Sequence, residues 1–250
     1  MGDEGRVLRW EALLNARDLG GLPAAAGAVA RGAIIRSDAL YRLNDAGRAA
    51  LVAHGVRTVI DMRDISEVEA KPYVLEPQSG ITYRHVVQQT SSMWAITRGG
   101  PDRITREATM LELARSRFAV IAAAIAEAPK GGVLIHCEAG KDRTGLMTML
   151  LLDLVGTPAD IIAADYALTA IGLAALFADL LAKAANDKPE RRAWLEEEAR
   201  SRPEVMLAIV EVLRTRYGGA EAYLRGGGAS AATLEKLRAR MLERGASPAT

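Results

Sequence analysis

A single cysteine, Cys137, stands six residues before Arg143 in the string HCEAGKDRTG, residues 136–145. A thiolate is a nucleophile, and an arginine guanidinium is a planar fork that grips two anionic oxygens at once. Placed on one loop, the two suit a tetrahedral anion with an electrophilic centre, a phosphate monoester above all. Residues 133–135, Val-Leu-Ile after Gly131-Gly132, read as a buried strand. Arg143-Thr144-Gly145 opens a run in which Leu146, Met147, Leu150, Leu151 and Leu154 recur at helical spacing. Gly156 and Pro158 stop that run. The unit is therefore strand, tight loop, helix, with the cysteine at the strand end. The first N–H groups of a helix have no internal partner, and its N-terminus carries partial positive charge. Loop N–H groups at Glu138, Ala139, Gly140 and Lys141 can then converge on an anion. The same field favours the thiolate of Cys137. A nucleotide-binding loop is excluded, because Asp142 follows Gly140-Lys141 where Ser or Thr is required.

The ten residues resemble the Cys-x5-Arg signature of the cysteine-dependent protein tyrosine phosphatases. Their fuller form, HCxAGKDRTG, is similar to a bacterial branch of tyrosine, dual-specificity and phosphoinositide phosphatases that includes secreted mycobacterial enzymes. Residues 15–21 (NARDLGG), Arg36-Ser37-Asp38, Asp61-Met62-Arg63, Ala164-Asp165-Tyr166 and residues 203–206 with Tyr217-Gly218 agree, so the resemblance spans nearly the whole chain. It implies an α/β fold with a tyrosine phosphatase-like central sheet, parallel around the phosphate loop and flanked by helices. It also implies that Cys137 forms a cysteinyl-phosphate, that Arg143 binds the phosphoryl oxygens, and that Thr144 donates to the leaving sulfur. His136 would hold the loop by hydrogen bonds. Asp142 is the preferred general acid. Asp102 is the alternative, since related enzymes carry an acidic residue on a mobile loop ahead of the nucleophile. Lys141 resembles the loop lysine of phosphoinositide phosphatases, which meets a second phosphate; an ion pair with Glu138 or Asp142 is its plain alternative.

Other elements follow from punctuation. Residues 32–36 read as a strand. Asn44 caps a helix that Gly55 ends. Residues 57–61 form a buried strand whose C-terminal end carries Asp61 and Arg63, either substrate-binding or a simple ion pair. Residues 81–86 alternate as a further strand. Residues 88–104 read as loop, and residues 105–127 as one amphipathic helix with Leu113 and Val120 on its apolar side. Asn15, Arg17 and Asp18 read as turn and capping chemistry, with support of the phosphate loop as the other reading. Residues 166–178 contain no charge, and these thirteen residues are too few for a membrane span of roughly 20. A buried core helix with a hairpin partner is preferred there. A helical lid over residues 159–200 is the alternative that the resemblance implies, with Asp160 as a helix cap. Residues 189–200 read as a solvated helix, and 203–217 and 230–243 as the last two helices. The chain reads as one domain over 1–250, with a disordered tail at 244–250.

Composition sets outer bounds. Of 250 residues, 50% are hydrophobic and 25% charged, and the net charge is +1. Nothing global recruits nucleic acid or an anionic membrane, and no stable membrane anchor is expected. One cysteine excludes an internal disulfide framework. No His/Asp cluster has metal-ligand spacing, so a metal-free, cofactor-free enzyme is expected. Its partners would be phosphotyrosine proteins or phosphoinositides. The residues at 1–10 lack a signal peptide's apolar run, so cytoplasmic location is the default, with export by another route open. A rhodanese-type sulfurtransferase is disfavoured by the spacing to Arg143. An arsenate reductase is disfavoured by the absence of relay cysteines. A phosphate-binding module without catalysis is disfavoured by the intact Cys, Asp, Arg and Thr.

Overall fold

Apolar alternation and helix punctuation govern the chain's elements. The computed structural model describes residues 5–73 and 80–242. Its strands are β1 (Arg17–Asp18), β2 (Pro23–Ala24), β3 (Gly27–Ala28), β4 (Ile34–Ser37), β5 (Val56–Asp61), β6 (Thr82–His85) and β7 (Gly132–His136). Its helices are α1 (Asp45–Ala53), α2 (Ile65–Ala70), α3 (Ser91–Arg98), α4 (Arg103–Leu113), α5 (Arg115–Ala126), α6 (Asp142–Leu154), α7 (Ala159–Gly172), α8 (Ala174–Lys183), α9 (Pro189–Glu198), α10 (Pro203–Tyr217), α11 (Ala220–Gly226) and α12 (Ala231–Met241). The main sheet has the order β1-β4-β7-β5-β6, with β4, β7, β5 and β6 parallel and β1 an antiparallel edge. This is the α/β architecture expected from strands alternating with helices.

The register places the site. His136 is level with Ser37 on one side and Asp61 on the other, so three parallel strands end side by side. The crevice outside those carboxyl ends is where open α/β sheets bind ligands. Period-two alternation splits the core between the two faces. Val133, Ile135, Ile34 and Ile60 join the larger cluster with α5 and α6, while Leu134, Ile35 and Val59 join a smaller one with Trp10, Leu40 and Leu51.

The structure corrects four expectations. Residues 88–104 are not all loop: Thr90 accepts a hydrogen bond from Met93 N and caps α3. The single helix at 105–127 is two, α4 and α5, broken at Ala114 (φ −99°, ψ 12°). No Gly or Pro marks that break, and Val120 and Leu113 are exposed. Asp160 lies in the first turn of α7 and not at its cap, which is Pro158. The glycine-punctuated stretch after α10 holds a further helix, α11. The proposed lid also divides. Ile162, Ala163 and Tyr166 of α7 are buried in the main core, whereas α8 buries none of its residues and α9 buries only Leu195. The α7 and α8 axes bend by 49°. The tail expected at 244–250 lies outside the described residues.

Candidate active site

Cys137 sits at the end of β7 with 2% of its surface exposed. Residues 137–141 then turn into α6, whose N-cap, Lys141, makes no side-chain capping bond. The turn is possible because Gly140 has φ +65° and lies against β4; a Cβ there would stand 2.3 Å from the Ser37 carbonyl oxygen.

Each loop carbonyl from Cys137 to Gly140 has a donor. His136 Nδ1 lies 3.0 Å from the Cys137 carbonyl oxygen, and since a carbonyl only accepts, that nitrogen carries the proton. Ala39 N donates to the Glu138 carbonyl at 3.0 Å. Asn15 Nδ2 donates to the Ala139 and Gly140 carbonyls at 3.0 and 3.1 Å. Arg36 donates to the Gly140 carbonyl at 2.8 Å. A trans peptide is planar, so its N–H points opposite to its C=O. The N–H groups of Glu138, Ala139, Gly140 and Lys141 therefore face away from these donors, as an anion cradle requires. His136 is fully buried, which lowers its pKa. Its Nδ1 proton is committed to the Cys137 carbonyl and so does not serve the thiol.

Behind the loop lies a knot of arginines. Arg6, Arg17 and Arg36 all contact Asp165 of α7, at 2.8, 3.1 and 2.8 Å. Arg17 also donates to Asn15 Oδ1 at 2.6 Å. Burial favours the protonated form of Asp165, but the three guanidiniums outweigh it and hold the carboxyl well below the usual carboxylate range. Asn15 and Arg17 thus support the phosphate loop, against the preferred turn reading. Asp18 keeps the turn role, accepting from Gly20 N and Gly32 N.

Arg143 is held by a residue that sequence reasoning missed. Its two terminal nitrogens donate to the two carboxylate oxygens of Glu67 at 2.5 and 2.7 Å. Glu67 is itself fixed in the capping box of α2, accepting from Asp64 N at 2.8 Å. The capping-box spacing was the signal available in the sequence.

Asp61 and Arg63 are corrected as substrate-binding residues. Both are wholly buried and pair with each other, Arg63 Nε and Nη2 donating to Asp61 at 3.1 and 2.7 Å, while Arg63 also donates to the Lys71 carbonyl. Their ion pair braces the turn after β5. The Glu138 side chain likewise turns away, to Lys71 at 2.6 Å and the Tyr41 hydroxyl at 3.0 Å. Lys141 does not meet it. Its ammonium lies 2.6 Å from the Glu198 carbonyl oxygen, 3.3 Å from the Glu198 carboxylate and 3.8 Å from Asp142.

Asp142 accepts from the Tyr166 hydroxyl at 3.1 Å and pairs with Arg103 at 3.1 Å. Burial raises its pKa, but Lys141, Arg103 and the Tyr166 hydrogen bond outweigh that and leave it lowered. Glu107 meets the same Arg103 nitrogen at 3.5 Å. Burial, with the charge of Asp142 beside it, pushes Glu107 up to about 8. Thr144 Oγ1 is buried without a hydrogen-bond partner. Asp102 is exposed and caps α4, accepting from Thr105 N at 2.7 Å. A cavity of about 100 Å³ is lined by Asp142, Arg143, Arg103, Glu198, Trp94 and Trp194, among others, and Asp102 is not part of it. Among the described residues no group of three or more His, Cys, Asp or Glu side chains could hold a metal ion.

A thiol at a strand end, an outward-tied loop and a braced arginine together define a cysteine-dependent phosphatase. The profile of the tyrosine phosphatase family matches residues 8–243, and the chain belongs to that family. A tyrosine-protein phosphatase of Nostoc commune is 33% identical over 227 residues, covering 87% of this chain and 77% of that protein. The triple specificity protein phosphatase PtpB of Mycobacterium tuberculosis is 28% identical over 254 residues, covering 84% and 91%. The chain is a phosphatase, and phosphoproteins are its substrate class.

Proposed function

We propose that this phosphatase works through a cysteinyl-phosphate on Cys137, with phosphotyrosine as the preferred group. The Cys137 thiolate attacks phosphorus in line; the S–P bond forms as the P–O bond to the leaving group breaks. The loop N–H groups and Arg143 hold the three equatorial oxygens as charge develops. Asp142 gives its proton to the leaving oxygen. It then takes one from the water that attacks the cysteinyl-phosphate, which releases inorganic phosphate and restores the thiolate. Asp142 is ionised while the loop is empty, but a phosphate dianion beside it favours proton uptake, so the acid is charged by substrate arrival. Thr144 donates to the departing sulfur.

The observation that carries this reading is the set of four consecutive loop carbonyls, Cys137 to Gly140, each tied outside the loop. It supports a cradle in which the four N–H groups of residues 138–141 meet one anion. Trp94 and Trp194 give the cavity aromatic walls suited to a tyrosine ring. Phosphoserine/threonine and phosphoinositide activity are secondary, and the phosphoinositide activity depends on Lys141. The triple specificity that names the mycobacterial relative supports that breadth. Helix α9, which brings Trp194 and Glu198 to the cavity, serves as its cover. A phosphate-release panel tests the order: wild type and Lys141→Ala, on phosphotyrosine, phosphoserine and phosphothreonine peptides and soluble phosphoinositides. A loss confined to phosphoinositides is expected. An equal loss on every substrate, or none, removes the role given to Lys141.

A further inference from the structure

The cavity beside Arg143 has a second charged end. Arg103, Arg106 and Lys141 converge there on Glu198, the last residue of α9. Arg103 reaches the Glu198 carboxylate at 2.6 Å, Lys141 at 3.3 Å and Arg106 at 3.5 Å. Lys141 also donates to the Glu198 backbone carbonyl at 2.6 Å. That carbonyl belongs to the C-terminal turn of a helix, whose carbonyls lack internal partners and carry partial negative charge. The Glu198 side chain is only 13% exposed. Arg103 also meets Asp142 and Glu107, and Lys141 lies 3.8 Å from Asp142, but Arg106 Nε is buried with no hydrogen-bond partner, so the cluster keeps a spare donor. Little else fixes this end of the cover, because Leu195 is the one buried residue of α9.

A carboxylate gripped by two arginines and a lysine, beside a spare buried donor, occupies the position of an anionic ligand. The same cavity is lined by Arg143, which binds the primary phosphate in the reading above. A neighbouring cavity of about 310 Å³ shares Gln89, Trp94 and Arg143 with this one of about 100 Å³, so only a group that enters the Glu198 end, rather than the larger space, meets the seated carboxylate. We propose that Glu198 is an internal anion seated in a second anion subsite made by Arg103, Arg106 and Lys141, and that a second phosphate on the substrate displaces it and frees the end of α9. The inference rests on the phosphatase reading of Cys137 and Arg143, and it makes Glu198 a specificity-determining residue. A monophosphate uses the loop and leaves Glu198 seated. A bisphosphate competes with it.

The test measures binding on a Cys137→Ser background, where turnover does not interfere. Calorimetry compares a vicinal inositol bisphosphate, the corresponding inositol monophosphate and inorganic phosphate. Glu198→Gln should improve the preference for bisphosphate over monophosphate by about tenfold, because the competing charge is gone. Arg106→Gln, with Glu198 present, should reduce that preference, and carries the test if Glu198→Gln does not fold. Amide exchange across α9 should rise with the bisphosphate and stay unchanged with inorganic phosphate. A preference that stays the same in both variants, while inorganic phosphate still binds, overturns the subsite and leaves the phosphatase reading intact. Failure of inorganic phosphate to bind at all overturns both.

Discussion

Glu67 holds Arg143 by both ends of its fork, at 2.5 and 2.7 Å, across 76 residues of sequence. A guanidinium has five N–H donors, so the pair spends two and leaves three for a phosphate. Burial opposes the charge on Glu67, yet the Arg143 contacts outweigh it and lower its pKa. The carboxylate is therefore charged at neutral pH and fixes the rotamer of the phosphate-binding side chain. Glu67→Gln should keep the fold and lower kcat/KM for p-nitrophenyl phosphate by roughly tenfold to a hundredfold, the usual result of a misplaced reacting group. Unchanged kinetics would reduce the pair to a surface contact.

Asp142 and Asp102 are separated by their environments. Asp142→Asn should lower kcat by about 10²–10⁴ on a substrate with a poor leaving group, with a smaller loss on p-nitrophenyl phosphate, and should abolish the limb of the pH profile set by the acid. Asp102→Asn should change neither, since asparagine caps a helix as well as aspartate does. Loss of the acid limb in Asp102→Asn alone would transfer the role to that residue.

Asp165 carries three guanidiniums behind the phosphate loop. Removing its charge strands Arg6, Arg17 and Arg36 in the interior, where breaking a buried pair typically costs about 3–5 kcal/mol. Asp165→Asn should lose stability on that order in urea denaturation at pH 7. It should also lose activity, because Arg36 holds the Gly140 carbonyl and Arg17 holds Asn15. A cost under ~1 kcal/mol would place it among exposed pairs.

Acid should weaken the fold through Asp61. Burial raises its pKa, but His136, the Arg63 contacts and the Tyr83 hydroxyl outweigh burial and bring it to about 2. An unfolded aspartate titrates near ~3.9. The folded value is the lower one, so the unfolded chain binds the proton first. The stabilisation is complete above the unfolded value and is lost as pH falls from there toward about 2. Denaturation midpoints of wild type should drop across that window. Asp61→Asn should be less stable at neutral pH and show a shallower drop.

The catalytic loop was legible because its signals are local. Strand, cysteine, glycine and helix stop all lie within residues 131–156, and the structure places each in the element that its spacing predicts. The residues that tune the loop were not legible. Glu67, Glu107 and Glu198 are ordinary helix-surface types in the sequence and reach the site only through tertiary packing. Asp61 and Arg63 illustrate the reverse. Their place at a strand end is right, but each satisfies the other before a substrate could, which no spacing reveals. The break at Ala114 lacks Gly or Pro, and α3, capped by Thr90, lies in a stretch whose polar start and Gly99-Gly100 end suggested a loop.

The central claim is that Cys137 is the nucleophile at the base of an intact anion cradle. Steady-state p-nitrophenyl phosphate hydrolysis by purified Cys137→Ser, measured beside wild type with chelator present, tests it most directly. Wild type should turn over fully, while Cys137→Ser shows no rate above buffer and still binds inorganic phosphate. Substantial turnover by Cys137→Ser would contradict the account, and so would a wild-type rate that vanishes with chelator and survives iodoacetate.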